Sequence, residues 1–137
     1  MRPSLLALAL LLVAPVALAQ AEPDDGLRVL ITRYRPRALP KAKETWDVWM
    51  KELGPSEPLL AAFKGKGGVT LTLDAYRERY VAEMQAQQPR IAELAARLDR
   101  GESVTLLCSK DCIIEQACHR SILAELVQAA RAQPPRA

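Results

Sequence analysis

Apolar residues fall along the chain in blocks of two periodicities, and the blocks predict the elements. Leu27-Arg28-Val29-Leu30-Ile31-Thr32-Arg33-Tyr34 is aliphatic and β-branched with a near-continuous apolar middle, the pattern of a strand buried on both faces. Ser103-Val104-Thr105-Leu106-Leu107-Cys108 repeats that pattern as a second short strand. Between them the spacing is helical. Trp46, Trp49, Met50 and Leu53 stand at i, i+3, i+4 and i+7, which predicts an amphipathic helix from Lys43 to Leu53, ended by Gly54-Pro55. Ser56 then caps a short helix with Pro58 in its first turn, running through Leu59, Leu60 and Phe63. Thr72 is the N-cap of a helix to about Gln87 with Leu73, Tyr76, Tyr80 and Met84 on one face, where the two tyrosines read as core. Pro89 opens the next helix, whose buried stripe is Ile91, Leu94, Ala95 and Leu98 and whose stop is Gly101. Ser109-Lys110-Asp111 supplies the turn and cap into a final helix ending near Ala130, with Ile114, Ile122, Leu123, Leu126 and Val127 inward.

Two buried strands separated by helices predict a single small α/β domain over residues 27–130, with a short parallel sheet at its centre flanked by about five helices. In such sheets ligands bind beyond the carboxyl ends of the strands. Here those ends are Arg33 to Arg37 and Cys108 to Asp111. Residues 131–137, with Pro134-Pro135, read as a frayed tail.

The amino-terminal block is of another kind. Met1-Arg2 is a short basic region, Leu5 to Val16 an apolar stretch interrupted by Pro15, and Ala17-Leu18-Ala19 has the small-x-small form that signal peptidase cuts. The expectation is a signal peptide over 1–19, a flexible lead-in over 20–26, and a periplasmic or secreted protein. The stretch is well below the ~20 residues needed to span a bilayer, so no membrane association is expected after cleavage. With 137 residues and a formal net charge of +3, the chain is bounded to one domain and shows no charge excess that argues for nucleic acid.

All three cysteines lie close together, Cys108, Cys112 and Cys118, and the single histidine, His119, follows the last. Three readings stand side by side. In an oxidising compartment two cysteines form a disulfide and leave an odd thiol, with Cys108–Cys118 the preferred pair and Cys112–Cys118 its rival. Alternatively, a cysteine near a helix N-terminus, next to Arg120 or protonated His119, is activated as a thiolate for redox or nucleophilic work; Cys108, Cys118 and His119 are then the catalytic candidates. The spacings are neither C-x-x-C nor C-x5-R. Thirdly, Cys108, Cys112, Cys118 and His119 make a chemically complete zinc set, handicapped because adjacent Cys118 and His119 face different sides of a helix. No other cofactor is suggested.

The arginines carry a separate signal. With the strand ends side by side, Arg33, Arg35, Arg37 and Arg120 surround a helix N-terminus near Asp111 that offers free N–H donors, a geometry suited to phosphate or carboxylate. The plain alternative is a solvated basic loop with an arginine salt-bridged to Asp47 or Asp111. Lys64-Gly65-Lys66-Gly67-Gly68 lacks phosphate-loop spacing and follows no strand, and no G-x-S-x-G is present.

Leu27-Arg28-Val29-Leu30 running into Arg33 and Pro36-Arg37, then Trp49 to Ser56 and Phe63, then Tyr76-Arg77-Glu78-Arg79-Tyr80, then Val104 to Cys108 and Cys118-His119-Arg120, resembles the domain of unknown function 488 family from about Leu27 to Val127. The resemblance implies an α/β domain of unassigned biochemistry, with a strand-end cysteine and a Cys-His-Arg at the next helix, here Cys108 and Cys118, His119 and Arg120. It also implies an Asp-Arg at the first strand's end, where this chain has Thr32-Arg33. Further departures are Arg35 for a tryptophan, Ala38 for a glycine and Lys64 for a histidine. Cys112 and the signal peptide stand as additions to the pattern. The expected function is an exported domain that binds a small anionic ligand through Arg33, Arg37, Asp111 and Arg120, with a thiol redox protein or a protein-interaction domain presenting Trp46 or Trp49 as the alternatives. Reaction, ligand identity and oligomeric state are not encoded in these patterns.

Overall fold

The protein is represented by a computed structural model that describes residues 11–14, 26–35, 39–65, 71–108 and 119–132. Its centre is a parallel sheet in the order β1-β4-β2-β3, formed by β1 (Leu11–Ala14), β2 (Leu27–Leu30), β3 (Val48–Trp49) and β4 (Val104–Leu107). The β2–β4 pairing matches Leu27 with Val104 through Leu30 with Leu107. Both strands follow from their apolar runs, because a parallel strand covered on both faces has no solvent side for polar residues. Val104, Leu106 and Leu107 are fully buried, as are Val29 and Leu30. The sheet starts where Gly26, at φ 63°, lets the Leu27 N–H reach the Ser103 carbonyl at 3.0 Å. A Cβ at Gly26 would sit 2.1 Å from that carbonyl oxygen, so no other residue fits.

Four α-helices are described: α1 (Glu57–Phe63), α2 (Leu73–Met84), α3 (Gln88–Asp99) and α4 (His119–Ala129). The starts of α1, α2 and α3 are as the sequence predicts, while the predicted Ser109-Lys110-Asp111 cap of the last helix lies outside the described residues. The Ser56 hydroxyl accepts from the Leu59 N–H at 3.3 Å, Thr72 from the Ala75 N–H at 3.1 Å, and Pro89 lies in the first turn of α3. Tyr76, Tyr80 and Met84 of α2, Ile91, Leu94, Ala95 and Leu98 of α3, and Ile122, Leu123 and Val127 of α4 close on the sheet as one core. Leu73, predicted on the inner face of α2, is instead exposed. At the first helical position its side chain falls outside the stripe that the later turns bury.

The predicted helix Lys43–Leu53 is not formed, and against the expectation of about five helices the described residues hold four. Residues Lys41–Lys43 and Lys51–Leu53 are single 3-10 turns, and between them the chain runs extended as β3. The reason lies in the backbone partners. The Asp47 N–H donates to the Arg28 carbonyl at 2.8 Å and the Met50 N–H to the Leu30 carbonyl at 2.9 Å, so an open side of β2 takes the groups a helix would have used internally. Thr45-Trp46-Asp47-Val48-Trp49 is rich in residues that fit a pleated surface, and tertiary pairing overrides the coincidental helical spacing.

The sheet also takes in a strand upstream of the expected domain start. Leu11–Ala14, inside the stretch read as a leader, pairs with Val104–Leu107 along the whole of β4. Among the described residues no helix is long and apolar enough to cross a membrane.

Candidate functional site at the strand ends

The carboxyl ends of β2 and β4 lie side by side, and side chains from other elements hold the exit of β2. The Ile31 N–H continues the ladder onto the Leu107 carbonyl at 3.0 Å, which turns the Ile31 carbonyl to the β4 side. There His119 of α4 meets it with Nε2 at 2.7 Å. The next carbonyl, that of Thr32, turns to the β3 side and accepts from Trp49 Nε1 at 2.7 Å. Arg33 then donates from Nε to the Pro55 carbonyl at 2.9 Å and from Nη2 to the Gly54 carbonyl at 3.1 Å. Gly54 is required for that approach, since a Cβ there would meet the Arg33 backbone nitrogen at 2.6 Å.

His119 is buried, and its neighbours fix its state. Loss of hydration, offset in part by the Ile31 carbonyl and reinforced by the Arg120 charge, lowers its pKa from 6.5 to about 4. The ring is therefore neutral at pH 7. A carbonyl only accepts, so Nε2 carries the proton and Nδ1 keeps the lone pair. In the zinc reading only Nδ1 would remain as a ligand atom. Among the described residues no three His, Cys, Asp or Glu side chains gather as a metal set, and Cys112 and Cys118 lie outside those residues.

The tyrosines of α2, read from sequence as core, are buried in the core and also pack beside His119. The Tyr80 ring lies 5.6 Å from the His119 ring, its hydroxyl donates to the Leu53 carbonyl at 2.7 Å, and Tyr76 stacks on it at 6.3 Å. Phe63 continues the aromatic line, 4.3 Å from Tyr76. Burial, followed by the Cys108 and Glu83 charges, raises the Tyr76 hydroxyl above its ordinary pKa; burial does the same for Tyr80, with Tyr76, Cys108 and Glu83 behind it. Both phenols thus stay protonated donors near Cys108. Glu83 grips the start of α1, accepting the Ser56 N–H at 2.8 Å and the Ser56 hydroxyl. The i, i+4 tyrosine spacing was visible in the sequence; the Glu83–Ser56 link, 27 residues apart, was not.

Of the predicted site residues, Arg33, Cys108, His119 and Arg120 are described, and the structure brings His119 and Arg120 to the strand ends where Cys108 terminates β4. Cys108 is 2% exposed and Arg120 is 3% exposed. Arg33 is committed to the Gly54-Pro55 turn, and Arg35 pairs with Glu44 at 2.6 Å while lying over the Trp46 ring at 5.8 Å. Asp47, considered as a salt-bridge partner, accepts the Arg28 backbone N–H at 2.8 Å instead. Arg37, Asp111, Cys112 and Cys118 lie outside the described residues, and with them the Cys108–Cys118 pairing.

A family model described as "Active DUF488-N3 subclade" matches residues 13–131. The chain is similar to the uncharacterized protein YeaO of Escherichia coli (strain K12), with 36% identity over 89 residues that cover 65% of this chain and 74% of that protein. No solved structure matches the chain.

Proposed function

This chain belongs to the DUF488 family, and from that premise we propose that it binds a small anionic ligand at the carboxyl ends of β2 and β4. The observation that carries the reading is the buried pair His119-Arg120 of α4 beside the carboxyl end of β2. A guanidinium held out of water exerts its charge at low screening. Neutral His119 beside it adds no second full charge, so the proposed site favours one compact anion, phosphate or carboxylate. Arg33 acts here as a brace, and the charge recognition rests on Arg120, with Arg37 and Asp111, which lie outside the described residues, proposed as further contacts.

Thermal shift with phosphate, citrate and a nucleoside monophosphate at millimolar concentration tests the proposal. A dose-dependent rise, reduced in Arg120→Lys, supports it; no shift with any anion overturns it.

The thiol reading stands as the alternative, with Cys108 buried to the same degree as Arg120 and with Cys112 and Cys118 as its further thiols. Export belongs to the proposal as well. A cut after Ala19 removes β1, so the exported form would carry β4 with one edge open.

A further inference from the structure

The residues of β1 carry two signals at once. In the sequence Leu11-Leu12-Val13-Ala14 lies within the uncharged stretch Leu5 to Val16, which runs into the Ala17-Leu18-Ala19 cut site, itself outside the described residues. In the fold the same residues are an outer strand of the sheet, paired in parallel with Val104–Leu107. The pairing completes β4. The Ser103 and Leu107 carbonyls accept from β2, and backbone groups of successive residues alternate in direction, so the N–H and C=O of Val104 and Leu106 point to β1. Both residues are fully buried, and without β1 those backbone groups would lose their partners on an apolar edge. α4 lies against β1 as well. The family match begins at residue 13, inside β1 and ahead of the cut, which agrees with a strand in this place.

A leader is cut when its apolar segment is free to leave the protein and enter the membrane, and a strand held in a sheet is not free. We propose that Leu11–Ala14 serves export and the sheet in turn, never together: a chain that folds first keeps β1 and escapes cleavage, and a chain exported first loses it. This rests on the export reading above and goes beyond it, because the speed of folding then divides the product between a four-stranded form and a shortened one. Cleavage of folded protein is limited by how often β1 detaches, a local opening that requires less than unfolding of the whole sheet.

The test is incubation of the purified full chain with a bacterial signal peptidase in detergent micelles, in buffer and in rising urea, with intact mass following the cut after Ala19. A second exported protein, whose leader trails from a stable domain, serves as the control for peptidase activity. The expected result is a native chain that resists in buffer and is cut at least about tenfold faster once urea frees β1. Val104→Ala, verified as folded by circular dichroism, weakens the strand that β1 pairs with and should be cut about tenfold faster than the native chain in buffer. Deuterium exchange gives a reading that needs no variant, since the amides of Leu12–Ala14 should be protected in the native chain. Equally fast cleavage in buffer and in urea overturns the proposal and leaves the leader reading standing, as do unprotected Leu12–Ala14 amides or a folded Val104→Ala chain cut no faster than the native one. No cleavage at any urea concentration at which the control is cut overturns both.

Discussion

His119 Nε2 and the Ile31 carbonyl oxygen, 88 residues apart in the chain, lie 2.7 Å from each other and join α4 to the end of β2. The contact sets the imidazole tautomer, and burial sets its charge, so one hydrogen bond couples the fold to pH. The unfolded chain takes up a proton near pH 6.5, whereas the folded one does so only near 4. Stability is therefore constant above about pH 7, falls as the pH drops through that window, and levels off below it. The full loss is roughly 3 kcal/mol. Urea midpoints between pH 7.5 and 4 should show this slope in the native chain and a flatter one in His119→Gln.

Tyr80 bonds the Leu53 carbonyl from within the core, where water cannot replace it. Tyr80→Phe keeps the ring and leaves that carbonyl without its partner, a cost of about 1–3 kcal/mol. Chemical denaturation should show the lower midpoint with an unchanged m-value.

Glu83 holds both the N–H and the hydroxyl of Ser56, the cap of α1. Ser56→Ala removes the cap and the hydroxyl contact together and should cost about 1–2 kcal/mol. Combined with Glu83→Gln the two effects should be less than additive, which a double-mutant cycle measures.

β1 covers one edge of β4 along four residue pairs. A chain beginning at Gln20 should melt at a lower temperature than the full chain, and the amides of Val104–Leu107 should exchange faster with deuterium. Equal protection in both forms would mean that β1 contributes nothing to the sheet. Intact mass of protein recovered from its host shows which form exists there.

Much of this was readable in the residues. Ser56, Thr72, Pro89 and Gly101 mark helix boundaries because capping and φ restriction act locally, and Val104–Leu107 reads as a buried strand because both faces demand apolar residues. The Cys-His-Arg resemblance already directed attention to His119 and Arg120. Trp46 and Trp49 misled, since their helical spacing carries no trace of the β2 backbone groups that draw Asp47 and Met50 into an extended pairing. The hydrogen bonds from Arg33 to the Gly54 and Pro55 carbonyls, 21 and 22 residues on, were likewise not legible in the sequence, because the turn that accepts them is brought there by the tertiary fold. The partnership of Glu83 with Ser56 and of Tyr80 with Leu53 is set by helix packing, which no local pattern encodes.

The most direct test of the account is calorimetric titration of inorganic phosphate and adenosine 5′-monophosphate into the native chain and into Arg120→Lys and Arg120→Gln, with circular dichroism verifying each fold. Saturable binding that weakens in Arg120→Lys, is lost in folded Arg120→Gln and declines with added salt is the predicted result. Absence of binding to the native chain, or binding unaffected in folded Arg120→Gln, would contradict the assignment of the anion site to the strand ends.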